Sequence, residues 1–73
     1  MPMQSGKKPL RTRLVQIAFL LSSQKRLNVK DLQKRFEVSR RTIMRDMRSI
    51  RDAGLSVVYF DKENDYRLVG TDF

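Results

Sequence analysis

From Ser39 to Gly54 the chain reads SRRTIMRDMRSIRDAG, and Ile43, Met47 and Ile50 recur there at i, i+4 and i+7. At about 100° per residue these three share one narrow wedge of a helix, while Arg41, Arg45 and Arg48 fall almost opposite. Such a segment has one stable use, as a helix pressed by its apolar side onto a core supplied by the rest of the chain. Five arginines and two acids lie between Val38 and Gly54. A solvated helix face usually mixes signs, because acids four residues from bases add favourable pairs. Here the outer stripe is cationic through its first three turns, and cations early in a helix oppose its dipole. The arrangement weakens the isolated helix and points to a strongly negative partner lying along it.

The neighbouring sequence supplies that core. Pro9 suits a helix entrance, where its missing N–H costs nothing, and Leu10, Leu14, Ile17, Ala18 and Leu21 place one apolar face on a first helix. A polar joint, QKRL, follows. Asn28 and Asp31 then stand three apart like a cap and its weaker reciprocal partner, and Val29, Leu32 and Phe36 predict a second helix over Val29–Phe36. Ser39 is a favoured N-cap for the third helix, Ser39–Ala53, which Gly54 ends as a residue able to take positive φ. From Leu55 the texture becomes β-branched and aromatic, and LSVVYF, the five-residue loop DKEND and YRLVG predict a hairpin. The expected class is α+β, three helices followed by a two-stranded antiparallel hairpin. Residues 1–8 are expected to be a flexible basic arm and 9–73 the folded domain.

Size and charge bound the function. A chain of 73 residues is one domain, and a core this small supplies roughly 3–5 kcal/mol, so association with itself or a ligand would help it. There is no cysteine and no histidine, which excludes disulfides, thiolate chemistry and ordinary zinc sites and fits a reducing compartment. The eight acids are scattered with little room for a cleft, so neither an enzyme nor a cofactor is expected. The longest apolar run, Ile17–Leu21, is far below the roughly 18 residues of a membrane span. With 16 Lys and Arg against 8 Asp and Glu, a net charge of +8 and a pI near 10.7, the expected partner is nucleic acid and the expected location cytoplasmic, on the nucleoid.

The major groove of B-DNA admits one α-helix, and arginine bonds O6 and N7 of guanine with two parallel donors. A helix entering by its N-terminus would present Ser39, Arg40, Arg41, Thr42, Met44 and Arg45 to base edges or nearby phosphates, with Arg48 further along the stripe. Each has a plainer alternative. Ser39 is then only a cap, Thr42 bonds its own helix, and Met44 is merely tolerated in solvent. Lys30 and Lys34, with Arg35, decorate the second helix and suit phosphate contacts. Lys7, Lys8, Arg11 and Arg13 could track phosphates from the arm and the first helix, or remain a solvated tail. Val15 and Phe19 face away from the inward stripe of helix one; the preferred reading is that the hairpin covers them, the other that they form a dimer contact.

At VSRRTIMRD these residues resemble a known pattern, close to LAxxFxVSxRTIxRDxxxL. The span from Arg13 to Gly70 is similar to the winged helix-turn-helix of DeoR-type repressors and of the N-terminal domain of WYL-domain transcriptional regulators. The resemblance implies that Leu32, Phe36, Val38 and Ile43 form the core of the motif, that Val29–Phe36 positions and that Ser39–Ala53 recognises. It places Arg40, Arg41, Thr42 and Arg45 on DNA-facing positions and matches Tyr66 and Leu68 to the second wing strand. Three departures stand out. Gln33 replaces a small residue where two helices approach, Glu37 replaces a frequent glycine in the turn, and Asp65 replaces the glycine before the tyrosine. With three acids and one base, the loop Asp61–Asp65 is expected to stay out of the minor groove.

The resulting expectation is a sequence-specific double-stranded DNA-binding regulator, a repressor or a phage or plasmid control protein, homodimeric at least on DNA. The chain leaves no room for the ligand-sensing domain that relatives append, so no small-molecule ligand is expected within it. The rival is a protein-binding winged-helix module, or a regulator of another DNA-binding protein. RNA is disfavoured because Phe36, Tyr66 and Phe19 are assigned to packing and leave no stacking platform.

Overall fold

The computed structural model describes residues 10–69. The elements run α1 (Leu10–Gln24), β1 (Arg26–Asn28), α2 (Val29–Phe36), α3 (Arg40–Asp52), β2 (Val57–Phe60) and β3 (Asp65–Leu68). Three helices and an antiparallel hairpin are present in the expected order, and the arm over residues 1–8 lies outside the described residues. Ile17 and Leu21 of α1, Val29, Leu32 and Phe36 of α2, and Ile43, Met47 and Ile50 of α3 are buried together, closed by Leu27, Val57 and Tyr66 of the sheet. Val38 and Leu68 pack against that cluster. Leu10, assigned by spacing to the inward face, is exposed because it is the first residue of α1 and precedes the core.

Caps set the helix limits. The Asn28 side chain accepts from the N–H groups of Lys30 and Asp31, and the Ser39 side chain accepts from Thr42 N–H at 3.2 Å. Gly54, at φ 118, ends α3; its N–H bonds Arg51 O and the N–H of Leu55 reaches back to Ile50 O. This six-to-one bond, with Leu55 packed against the core, closes carbonyls that α3 cannot satisfy internally. The turn between α2 and α3 uses Glu37 in the left-handed region, φ 55 and ψ 49, which lets Val38 N–H bond Gln33 O. Gln33 is accommodated half-buried beside that turn.

The sheet corrects two expectations. Arg26 and Leu27, assigned to the polar joint QKRL, form with the cap residue Asn28 a strand that pairs with β3, so the sheet has three strands in the order β1-β3-β2. A three-residue strand is too short to show a period, and its pairing joins residues nearly forty apart. The hairpin pairs Phe60 with Asp65, leaving a loop of four residues rather than five. Asp65 is therefore a strand residue, 3% exposed, and not part of the loop.

Asp65 ties the sheet together. Arg26 Nε approaches its carboxylate at 3.0 Å, Arg67 donates at 3.3 Å and Asn28 Nδ2 at 3.2 Å. Burial pushes the carboxyl up, but the bonds from Asn28 and Arg67 and the nearby Arg26 charge outweigh that and hold it below its ordinary value. A carboxyl lowered by folding stabilises the fold above its unfolded pKa, about 4, and loses that contribution as pH falls toward the folded value. The thermal midpoint is expected to drop on acidification below about pH 4, and Asp65→Asn to be less stable at neutral pH with a flatter acid limb. Glu37→Gly, at an exposed left-handed position, is expected to raise stability by about 0.5–1 kcal/mol, read as a higher denaturant midpoint.

Candidate nucleic-acid interface

Helix α3 is held by its buried face and displays the other. Arg41, Met44, Arg45 and Arg48 are exposed, and with Arg40 and Arg51 they line a groove whose far wall is Tyr59 and Tyr66 of the hairpin. Among the described residues no acid pairs with Arg41, Arg45 or Arg48. The cationic stripe read from periodicity is thus a single surface, facing outward.

Arg40, Arg51 and Arg67 are committed within the protein. Arg40 Nη2 donates to the Tyr59 hydroxyl at 3.1 Å, with its guanidinium 6.0 Å from that ring. Tyr59 in turn donates to Asn64 Oδ1 at 2.7 Å and its ring lies 5.0 Å from Tyr66. Arg51 Nε donates to the carbonyl of Val57 at 3.2 Å, fastening the end of α3 to β2. Arg67 stacks 4.1 Å over Phe60 and bonds Asp65, so it belongs to the structure of the wing. Tyr59 escaped the sequence reading. It lies two residues from buried Val57 in a strand, hence on the same sheet face, and that period-two relation was the available signal.

Ser39 caps α3 and its hydroxyl donates to Thr42 Oγ1 at 3.2 Å, so both polar side chains serve the helix start in the protein alone. Thr42 and Lys34 border one shallow depression over the turn, together with Gln33, Glu37 and Val38. Lys30, at the opposite end of α2, is exposed but joins neither that depression nor the arginine groove.

Arg13 is a correction. Offered as a phosphate contact or as part of a solvated tail, it instead forms a two-pronged pair with Asp46 of α3, through Nε to Oδ2 and through Nη2 to Oδ1 at 3.1 Å. Asp46 is 3% exposed and was missed, because the residue sits at the flank of the inward wedge and its partner is 33 positions away. Val15 and Phe19 are a second correction. The hairpin does not cover them; they are 64% and 69% exposed.

A helix laid across a second one, a left-handed turn between them, an outward cationic face and an adjoining hairpin constitute a winged helix-turn-helix. Residues 12–67 match a family described as an HTH domain. The chain belongs to that helix-turn-helix family. It is a DNA-binding domain of the winged type. No curated protein and no solved structure matches the chain. No helix among the described residues is long and apolar enough to cross a membrane.

The Arg13–Asp46 pair fixes how α1 supports the interface helix. Removing one partner strands the other charge inside the protein. Arg13→Met is expected to cost about 3 kcal/mol in denaturant unfolding, and Arg13→Met with Asp46→Leu to recover most of that loss.

Proposed function

We propose that the chain is a sequence-specific reader of duplex DNA, a repressor of DeoR type, that seats α3 in the major groove. The observation that carries this reading is the outward row Arg41, Arg45 and Arg48, without acidic partners among the described residues, on a helix anchored along its whole opposite side. Unpaired guanidiniums are hydrated and ready to exchange water and counterions for base edges and phosphates. Arg40, pre-bonded to Tyr59, serves as a fixed contact at the entry of the helix, and Met44 between the arginines suits a thymine methyl. Ser39 and Thr42 at the helix start, and Lys34 with Lys30 on α2, serve the phosphates beside the groove.

The hairpin loop has a smaller part. With Asp65 turned inward, its exposed tip carries Asp61 and Glu63 against Lys62, which keeps it off the phosphate backbone. Repression asks nothing further of the domain, since occupying the groove is enough to exclude a polymerase, whereas activation needs a second contact surface. Paired half-sites about one helical turn apart would supply the specificity that one helix lacks.

Selection of duplexes from a random pool, followed by titration, tests the proposal. Affinity for the selected duplex is expected to fall with salt by a slope near −0.9 per phosphate neutralised. Arg41→Ala and Arg45→Ala are each expected to cost about 1–3 kcal/mol on that duplex and to relax its sequence preference. Unchanged affinity in both variants would remove α3 from the groove. Salt-insensitive binding to a protein in place of duplex would favour an interaction module.

A further inference from the structure

Tyr66 is 4% exposed, yet its hydroxyl makes no hydrogen bond among the described residues. The fully enclosed side-chain atom left without a partner among them is Arg67 Nε, so the Tyr66 hydroxyl reaches the surface, and it does so on the groove that Tyr66 lines with Tyr59 and the arginines of α3. A phenol buried to this depth ordinarily finds a partner for its O–H. Two guanidiniums stand within electrostatic reach of it. Burial pushes the Tyr66 phenol up, and the charges of Arg51 and Arg40 oppose that rise. Arg51 uses Nε on the Val57 carbonyl and Arg40 one Nη on Tyr59, which leaves their other N–H groups without an acceptor among the described residues. We infer that the hairpin side of the groove is a seat for one phosphate group, which accepts from the Tyr66 hydroxyl and the Arg51 guanidinium with the charge of Arg40 beside it.

The backbone fixes the seat. Tyr59 and Tyr66 are paired directly across the hairpin and stand on one face of the sheet, with rings 5.0 Å apart. Arg51 is fastened to β2 at 3.2 Å and Arg40 to the Tyr59 hydroxyl at 3.1 Å, so the donors come from both ends of α3 and from β3. Their sign and direction select the ligand. No acid lines the groove, so its ligand is an anion. A planar carboxylate is saturated by one guanidinium fork, whereas a tetrahedral phosphate turns oxygens toward several donors at once. The acidic loop tip is no obstacle, because the contact comes from the strand face and not from the tip. Two sources carry this chemistry: a phosphodiester of the strand beside α3, which rests on the DNA reading above, and the terminal phosphate of a small ester, which does not.

Two titrations test this. Inorganic phosphate is added to the chain alone, against chloride at matched ionic strength, and the arginine Nε–H resonances are followed in the wild type and in Tyr66→Phe. Saturable shifts are expected at Arg51 and Arg40. Tyr66→Phe keeps the buried ring and breaks no internal bond, so the thermal midpoint in phosphate-free buffer should stay unchanged while phosphate affinity falls about tenfold. In the second arm, the duplex recovered by selection carries one neutral methylphosphonate at successive positions. A phosphodiester in the seat predicts one position whose neutralisation weakens the wild type about tenfold and Tyr66→Phe much less, because both changes remove the same contact. Phosphate held at Tyr66 with no such position would assign the seat to a small ester, and if the chain also binds no duplex, only the DNA reading falls. Phosphate shifts spread evenly over Arg41, Arg45 and Arg48 and untouched by Tyr66→Phe, with a methylphosphonate profile equally indifferent to that substitution, would overturn the inference.

Discussion

A helix with five arginines holds its place only if its other side is anchored more strongly than its charges repel. Like charges three or four residues apart cost a few tenths of a kcal/mol each, and cations in the first turn of a helix cost about 0.3–1 kcal/mol against the dipole. Ile43, Met47 and Ile50 are 0%, 0% and 5% exposed, and burying each contributes about 1.5–3 kcal/mol. The core term exceeds the electrostatic one severalfold, which is why Arg41, Arg45 and Arg48 can stand without acids. The same inequality makes α3 a poor helix in isolation and a good one on α1 and α2.

The protein's acids sort its arginines into two classes. Buried Asp46 holds Arg13 of α1, and buried Asp65 holds Arg26 of β1 as well as Arg67 of its own strand. These pairs join α1 to α3 and β1 to β3, the junctions that a short chain with a small core most needs. Arg51 is likewise bonded, to a strand carbonyl. What remains on the outer side of α3 is a row with no internal acceptor. The division of labour is geometric, since the paired arginines reach neighbouring elements while Arg41, Arg45 and Arg48 face the groove beside the hairpin.

Local chemistry was readable from the residues, and pairing across the chain was not. The limits of α2, its Asn28 cap, the Ser39 cap and the turn at Gly54 each follow from two or three adjacent residues, and all of them stand in the structure. The inner and outer faces of α3 follow from a single period. Strand β1 was lost because RLN has no period to read, and the Arg13–Asp46 pair because nothing near either residue names the other. The hairpin was expected to cover Val15 and Phe19, but its strands meet α3 and another side of α1, leaving these two residues bare. Asp65 was counted as a loop charge because the turn was drawn one residue too long.

The groove beside α3 has a wall because of one residue in the hairpin turn. Asn64 adopts the left-handed conformation, φ 57, which asparagine tolerates better than most residues. Its carbonyl accepts from Val29 N–H, the first residue of α2, at 2.9 Å. Its side chain accepts from the Tyr59 hydroxyl, and that hydroxyl accepts from Arg40 at the start of α3. A continuous line of hydrogen bonds thus runs from α2 through the hairpin turn to α3. The wing in this way sets the angle at which Arg40, the first arginine of α3, leaves the protein.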